Sequence, residues 1–521
     1  MLTRRGFLGQ AAPWALLPFI GGCEGDDATL LDESLFQHGV ASGDPLADRV
    51  VLWTRVTPSV AGSEPITVEW AVALDEALTD VVASGSSTTD AEVDFTVKVD
   101  ASGLSPGTTY YYRFRSGADD SPLGRTRTLP VGAVESARLA VVSCSNYPAG
   151  FFHAYRLIAE RTDLDLVLHL GDYLYEYADS AFGDGAGIGR APEPAHEIST
   201  LEDYRRRHAQ YKADADLRAL HAMHPVAVVW DDHEVANDAY AAGAENHDPA
   251  TEGDFQVRKA AALRAYFEWM PIRQPLDQFP PRIYRSLRIG DLADLILLDT
   301  RQLARERQPA DACDPADLAN PDRDLLGTEQ EAWLLSELNR SQADGIPWRL
   351  IGQQVMMGQV QNPLIGPTCV ANPDQWDGYA AARARLLGAL ASDGINNVVI
   401  LTGDIHSSWA LEISDDPFDA SVYNPATGAG SRAVEFVTPA VSSPGISDPA
   451  QARLLEQVLA QTHPHVKFAE LNRQGYLLLD VSRERVQADF YHVGDVRLPE
   501  PSEALVASYV SAVGTNRVSP A

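Results

Sequence analysis

The sequence is short of cysteine, of positive charge and of long apolar runs, and each shortage excludes something. Four cysteines in 521 residues cannot staple a chain of this size, so a disulfide-dense scaffold is ruled out and the fold must rest on an apolar core. Lysine and arginine number 41 against 73 aspartates and glutamates, for a formal charge of −32. That balance excludes a surface built to attract nucleic acid nonspecifically, and most of the carboxylates read as a solvated, solubilising face. Past about Ile20 no stretch is long and apolar enough to span a bilayer. There is no internal repeat, no phosphate loop and no G-x-S-x-G elbow, which removes nucleotide-binding P-loop enzymes and serine hydrolases.

What is present begins with Met1-Leu2-Thr3-Arg4-Arg5-Gly6-Phe7-Leu8, an arginine pair ahead of an apolar stretch. This is the layout of a twin-arginine (Tat) export signal, which implies passage through the Tat translocon and a periplasmic, envelope-anchored or extracellular destination. The segment ends Ile20-Gly21-Gly22-Cys23. That ending resembles a bacterial lipobox with Cys23 as a lipidated membrane tether, and it also reads as ordinary cleavage after small residues. In an oxidising compartment Cys313 and Cys369, both in loops with Pro and Asp or Asn, are expected to pair, while Cys144 ends a buried strand.

Three regions follow: the signal at 1–23, a β-rich region at 36–130, and a longer α/β region at 131–510. In the first of the two folded regions, runs such as 50–56, 66–72, 95–99 and 110–115 alternate between turn-rich connectors and predict a small β-sandwich. Leu104 to Tyr110 resembles the tyrosine-corner segment of fibronectin type III and immunoglobulin-like domains. After Pro130, buried strands alternate with amphipathic helices, expected at 150–160, 202–224, 254–269 and 376–393, with a capping-box start at Thr328 to Glu331. The loop from Ala181 to Pro194 reads as a rim or lid, and 475–493 as two closing strands.

Four apolar runs end in residues that bind metals: Val141-Val142-Ser143-Cys144, Leu166 to Tyr175, Val228 to Glu234, and Val398 to His406. Open α/β sheets collect their ligands at the carboxyl ends of such strands. A single Gly-Asp pair caps many turns. Here Gly171-Asp172 and Gly403-Asp404 both close apolar strands, His406 follows two residues on, and Asp231-Asp232-His233-Glu234 adds a third cluster, which together point to a multi-metal hydrolase.

These motifs resemble the calcineurin-like metallophosphatase superfamily. The blocks S-C-S-N-Y at 143–147, G-D-Y-L-Y-E-Y at 171–177, W-D-D-H-E at 230–234 and T-G-D-I-H at 402–406 resemble the alkaline phosphatase D (PhoD) family in particular. The resemblance implies a layered α/β/β/α metallophosphatase core behind the β-sandwich domain, and a site holding one ferric ion (Fe3+) with one or two calcium ions (Ca2+). By likeness, Cys144, Asp172, Tyr175 and His406 hold the iron with Asp172 bridging, and Asp232 and Asp404 fall to calcium. Many superfamily members have Asn and His at the last two positions, so this chain exchanges neutral ligands for charged oxygens. Gln354 stands on the strand expected at 348–357 where other members carry a histidine ligand, with Gln353 equally placed. His233 matches the histidine that contacts the transferred phosphoryl group and protonates the leaving oxygen. Asn237 is a candidate for a phosphate oxygen or a helix cap.

Tyr173 and Tyr177 read as packing or rim, His169 as a core histidine, and Arg301 as either a phosphate clamp or a surface salt-bridging residue. The implied reaction is hydrolysis of phosphate monoesters or diesters by a metal-bound water or hydroxide. A diesterase acting on phospholipid, teichoic acid or nucleotide polymers is the rival on the same site. A non-catalytic surface lipoprotein using its β-sandwich to bind a partner is the rival of another class.

Overall fold

The computed structural model describes residues 35–58, 64–273, 281–362, 365–366 and 369–521. The export signal and Cys23 lie outside the described residues. Among those residues no helix is long and apolar enough to cross a membrane.

Two large sheets face each other. One has ten strands and the other seven. The centre of the first is parallel: Ser136–Val142, Leu166–His169 and Pro225–Val228 run side by side. The centre of the second is parallel too, with Ala293–Leu297, Trp348–Gly352, Val398–Thr402 and Ser431–Val437 in that order. These are short Val-, Leu- and Ile-rich runs without alternation, which suits strands covered on both faces. Leu139, Val141, Leu166 and Leu168 from one sheet share a core with Leu295, Leu297, Leu350, Val399 and Leu401 from the other. Each fully buried side chain of this kind is worth about 1.5–3 kcal/mol over leaving it in water. The outer face of the first sheet meets helices through Tyr155, Ile158, Tyr204, Leu217 and Leu263, and that of the second through Leu334, Leu338, Leu386 and Leu390.

The β-rich N-terminal region keeps an apolar cluster of its own, in which Val68, Val72, Tyr112 and Phe114 pack on Leu52 and Val97. Three of its strands nevertheless continue the ten-stranded sheet. Val40–Gly43 runs parallel to Pro225–Val228, and Arg49–Arg55 and Thr96–Ser102 extend beyond it. The Tyr110 phenol oxygen accepts the Ser105 N–H at 2.7 Å, tying its strand to the preceding loop.

Local chemistry moves several expected boundaries. The single helix expected at 202–224 is two, Leu201–Ala213 and Ala215–Met223. Asp214 between them is extended, caps the second helix by accepting the N–H groups of Asp216 and Leu217, and binds Arg190 at 2.7 Å. A short carboxylate competes with the helix for backbone donors, and here it wins. The capping box at Thr328 does not form: the helix Gly327–Ala343 starts without a side-chain cap, and Glu331 turns outward to Arg385 at 2.8 Å. The strand expected at 348–357 stops at Gly352, which leaves Gln353 and Gln354 beyond its end.

Cys313 and Cys369 form a disulfide across 56 residues, and Cys144 is free and buried. Closing a loop of that length removes chain entropy worth about 4 kcal/mol from the unfolded state. Replacing both cysteines by serine is therefore expected to lower the unfolding free energy by about 2–4 kcal/mol in non-reducing denaturant titrations. An unchanged midpoint would contradict this.

Candidate metal centre

Four strand ends bring the chemistry together, and three of them turn sharply as they leave their sheets. Cys144, Asp172, Asp404 and His406 all have left-handed backbones, with φ of 62°, 53°, 62° and 50°. Such positions cost a non-glycine residue about 1–3 kcal/mol and persist only where the surroundings over-determine them. Glu234 supplies much of that support. Its buried carboxylate accepts the N–H groups of Asp172 (3.1 Å), Tyr173 (2.7 Å) and Asp231 (2.8 Å), so one side chain fixes two strand ends. The Cys144 N–H donates to the Gly171 carbonyl at 3.2 Å, and the Ser145 N–H to the Asp172 carbonyl at 2.9 Å. The glycines of the two Gly-Asp pairs are there for closeness. A Cβ on Gly171 would lie 2.5 Å from the Asp231 Cβ, and one on Gly403 would lie 2.7 Å from the Ser143 Cβ across the two sheets.

The ligand-type atoms fall into three overlapping groups, each within 4.8 Å: Cys144, Asp172 and His406; Asp172, Asp232 and His233; Asp231, Asp232 and Asp404. Tyr175 belongs with the first, its hydroxyl 3.0 Å from both Asp172 Oδ2 and His406 Nε2, and it receives a hydrogen bond from Ser443 Oγ at 2.7 Å. Asp172 Oδ1, Asp231 Oδ2 and Asp232 Oδ1 are buried without a hydrogen-bond partner. Orphaned carboxylate oxygens in a dry site are costly unless a cation meets them. The donor set therefore fits metal ions. Thiol, phenol and imidazole at one end suit a transition metal, and carboxylates at the other suit a hard cation.

A wholly buried guanidinium already answers part of this charge. Arg301 donates through Nε to Asp231 Oδ1, through Nη1 to Asp374 at 2.7 Å and through Nη2 to Asp404 at 2.9 Å, with Asp232 at 3.8 Å. Gln375 Nε2 holds the second oxygen of Asp404 at 2.5 Å. Burial pushes the Asp404 carboxyl up to about 6 against the pull of Arg301. Burial also raises Asp231 and Asp172, each with further repulsion from neighbouring carboxylates. Asp232 is buried as well, yet Arg301 and His233 draw it down to about 2. The Cys144 thiol and Tyr175 phenol are held well above their usual range by burial and then by the Asp172 charge. Two opposed effects act on His233: burial favours the neutral ring, and Asp232, Glu176 and Asp172 outweigh it to favour the imidazolium.

The structure thus brings together Cys144, Asp172, Tyr175, Asp232, His233, Asp404 and His406. Gln354 adjoins the site through its carbonyl, which accepts the Gly403 N–H at 3.1 Å, but its side chain is turned to a loop: Oε1 accepts from the N–H and hydroxyl of Thr300 at 3.0 and 2.6 Å, and Nε2 donates to the Leu298 carbonyl at 3.0 Å. With its amide committed there, it acts as a loop anchor. Gln353 is engaged with Trp376 at 2.8 Å. Asn237 donates its backbone N–H to Glu176 (2.7 Å) and its amide to Glu245 (2.6 Å). Arg301, read as a clamp or a surface residue, is neither exposed nor free. His169 is a core histidine, between the Tyr155 hydroxyl at 2.7 Å and the Gly171 N–H at 3.3 Å. Tyr173 bonds His221 at 2.9 Å, and Tyr177 lies beside the rings of His233 and Phe182. Phe182, from the loop read as a rim, packs its ring on Tyr175 and His406.

Sequence reasoning gave no role to Glu176 and Gln375, and named Asp231 and Glu234 only as members of a cluster. Asp231 and Glu234 sit inside the D-D-H-E block, where acidity was the visible signal. Glu176 was hidden among tyrosines, although it binds His233 Nδ1 at 2.7 Å. Nothing in the local sequence marks Gln375.

Comparison with known proteins agrees with this geometry. Residues 139–490 match the family described as PhoD-like phosphatase, and residues 23–130 match its N-terminal domain. Alkaline phosphatase D of Bacillus subtilis (strain 168) is 38% identical over 502 residues, covering 94% of this chain and 83% of that relative. A solved structure described as that of PhoD superposes with a TM-score of 0.85 at 36% identity, covering 94% of this chain and 92% of the other. The chain belongs to the PhoD-like phosphatase family and is a phosphoesterase.

Proposed function

We propose that the protein hydrolyses phosphate monoesters and diesters at a mixed-metal centre after Tat export, with Cys23 as a lipid tether. The observation that carries the metal dependence is the sharing of Asp172 and Asp232 between donor groups in which Asp172 Oδ1, Asp231 Oδ2 and Asp232 Oδ1 lack partners. Cys144, Asp172, Tyr175 and His406 would hold Fe3+, and Asp231, Asp232 and Asp404 would hold Ca2+. Ions bound there would supply charge to phosphoryl oxygens and acidify a water towards neutral pH.

The chain's own groups do the rest. His233 has Nδ1 fixed by Glu176, whose other oxygen takes the Asn237 N–H and the Asn246 amide at 2.9 Å. The burial cost of the Glu176 carboxylate is outweighed by these donors, which hold it ionised. Fixing Nδ1 leaves Nε2 to give its proton to the departing alkoxide, and Asn237 keeps Glu176 in place. Phe182 and Tyr177 shield the cluster from bulk water, where its interactions would be screened.

Purified protein assayed on a phosphomonoester and a phosphodiester, with and without calcium, is expected to turn over at least one ester only when calcium is supplied. Full activity on both without calcium would remove the calcium assignment. Phenolate on ferric iron absorbs visible light, so Tyr175→Phe should weaken or shift a visible band and lower kcat about 10-fold or more. Tyr177→Phe should leave the band unchanged. A colourless wild-type protein fully active on zinc or magnesium alone would refute the ferric assignment.

The carboxyl groups also set a sign for stability. Asp404, Asp231 and Asp172 bind protons more tightly folded than unfolded, so without metals their contribution is complete below about pH 4 and is lost as pH rises, for Asp404 through about 6. Asp232 has the opposite sign, but its contribution is already complete by pH 5. Metal-stripped wild-type protein should therefore lose stability relative to metal-stripped Asp404→Asn between pH 5.5 and pH 8, by about 1 kcal/mol. Restoring metals should raise Tm more at pH 8 than at pH 5.5. A difference between the two metal-free proteins that does not change over this interval would contradict the electrostatic account.

A further inference from the structure

A cavity of about 590 Å³ opens beside the metal centre and shares residues with it. His406 forms part of its wall, as does Gln375, the amide that holds Asp404, and Ile405 lies between the two ligands. The remaining wall is mostly apolar, with Ile446, Leu455, Leu459 and Leu471 on one stretch of chain and Trp409 beside them. The indole N–H of Trp409 is already donated to Ser407 Oγ at 2.8 Å, which leaves ring carbon for a ligand. Among the described residues no lysine or arginine lines the cavity. Its acidic residue, Asp377, has an oxygen taken by the Val360 N–H at 2.8 Å.

Cations are nonetheless available along this rim. Arg473 and Arg497 line a second cavity that meets the first at Pro444 and Gly445, and neither lines the first. A substrate alcohol carrying further phosphates or carboxylates would have to desolvate anions against apolar carbon, in a protein of charge −32. A hydrocarbon group gains from the same wall, and a cavity of this volume takes a ligand of small-molecule size.

We propose that this cavity is the subsite for the alcohol part of the ester, and that it selects an uncharged apolar alkyl or aryl group over an alcohol bearing further anionic groups. The proposal rests on the phosphoesterase reading and narrows its substrates. It favours esters of apolar alcohols over links within polyanionic chains.

The test compares n-hexyl phosphate with 5-carboxypentyl phosphate, whose leaving oxygens sit on the same kind of carbon, using methyl phosphate as the short reference. Each buried methylene strengthens binding by about fourfold, so kcat/KM for hexyl phosphate should exceed that for methyl phosphate by about 10-fold or more. The carboxylate should cancel that advantage. Leu455→Lys, on the helix Pro449–Thr462, should bring the hexyl-to-carboxypentyl ratio close to one or invert it. Calorimetric binding of hexylphosphonate and 5-carboxypentylphosphonate to the metal-loaded wild-type protein reads the same preference without turnover or substitution. Equal kcat/KM for the two esters, or equal affinity for the two phosphonates, would overturn the proposal and leave the phosphoesterase intact. No hydrolysis of any ester, with hexylphosphonate still preferred, would instead count against the catalytic reading and leave the cavity's selectivity standing.

Discussion

The centre is organised around one buried cation. Arg301 stands just beyond the strand Ala293–Leu297, and its position is set by Asp299, which accepts the N–H groups of Arg301 and Gln302 and is itself bound through its own N–H to Gln330. From there its planar fork reaches Asp231, Asp374 and Asp404, which come from three separate segments of chain. Breaking a buried pair by removing one member typically costs about 3–5 kcal/mol, because the other charge is left stranded. Here the loss would strand Asp231 and Asp404 together, while Asp374 would keep Arg305. Lysine could not substitute, since a single ammonium has no rigid fork with which to fix three directions.

Around that cation the two sheets impose the geometry. The Thr438 hydroxyl donates to the Val141 carbonyl at 2.9 Å, and Ser143 pairs with Ala440, so the carboxyl ends of the two sheets are joined at the site. Sulfur, phenol and imidazole lie at one end of the cluster and most carboxylates at the other, although Asp404 and His406 leave the same strand. Asp172 lies where the two sets meet. The left-handed backbones at the ligands are held by this double support and would relax in a single isolated sheet.

Much of this was legible in the sequence. Short apolar runs ending in Asp, His or Cys announce both the strand and its functional end, and these residues do converge. The Cys313–Cys369 pair was legible from loop setting and compartment. Other features were not, for identifiable reasons. The break at Asp214 depends on one carboxylate capturing two backbone donors, which periodicity does not register. Asp231 and Asp232 are indistinguishable in sequence, because the turn after the strand decides which oxygen faces where. The burial of Arg301 depends on residues far along the chain in either direction, and the junction of Val40–Gly43 with Pro225–Val228 is a long-range register that no local pattern encodes.

Glu234 carries a consequence for how the protein behaves in preparation. Its carboxylate holds the backbone of Asp172 and the backbone of Asp231, which leave different strands and lie in different donor groups. Neither group can shift to suit an ion without pulling on the other through that shared anchor. An ion bound at one position would therefore bear on the shape of its neighbour through the same carboxylate. A preparation short of metal would then differ from a full one in the geometry of its filled positions as well as in ion count.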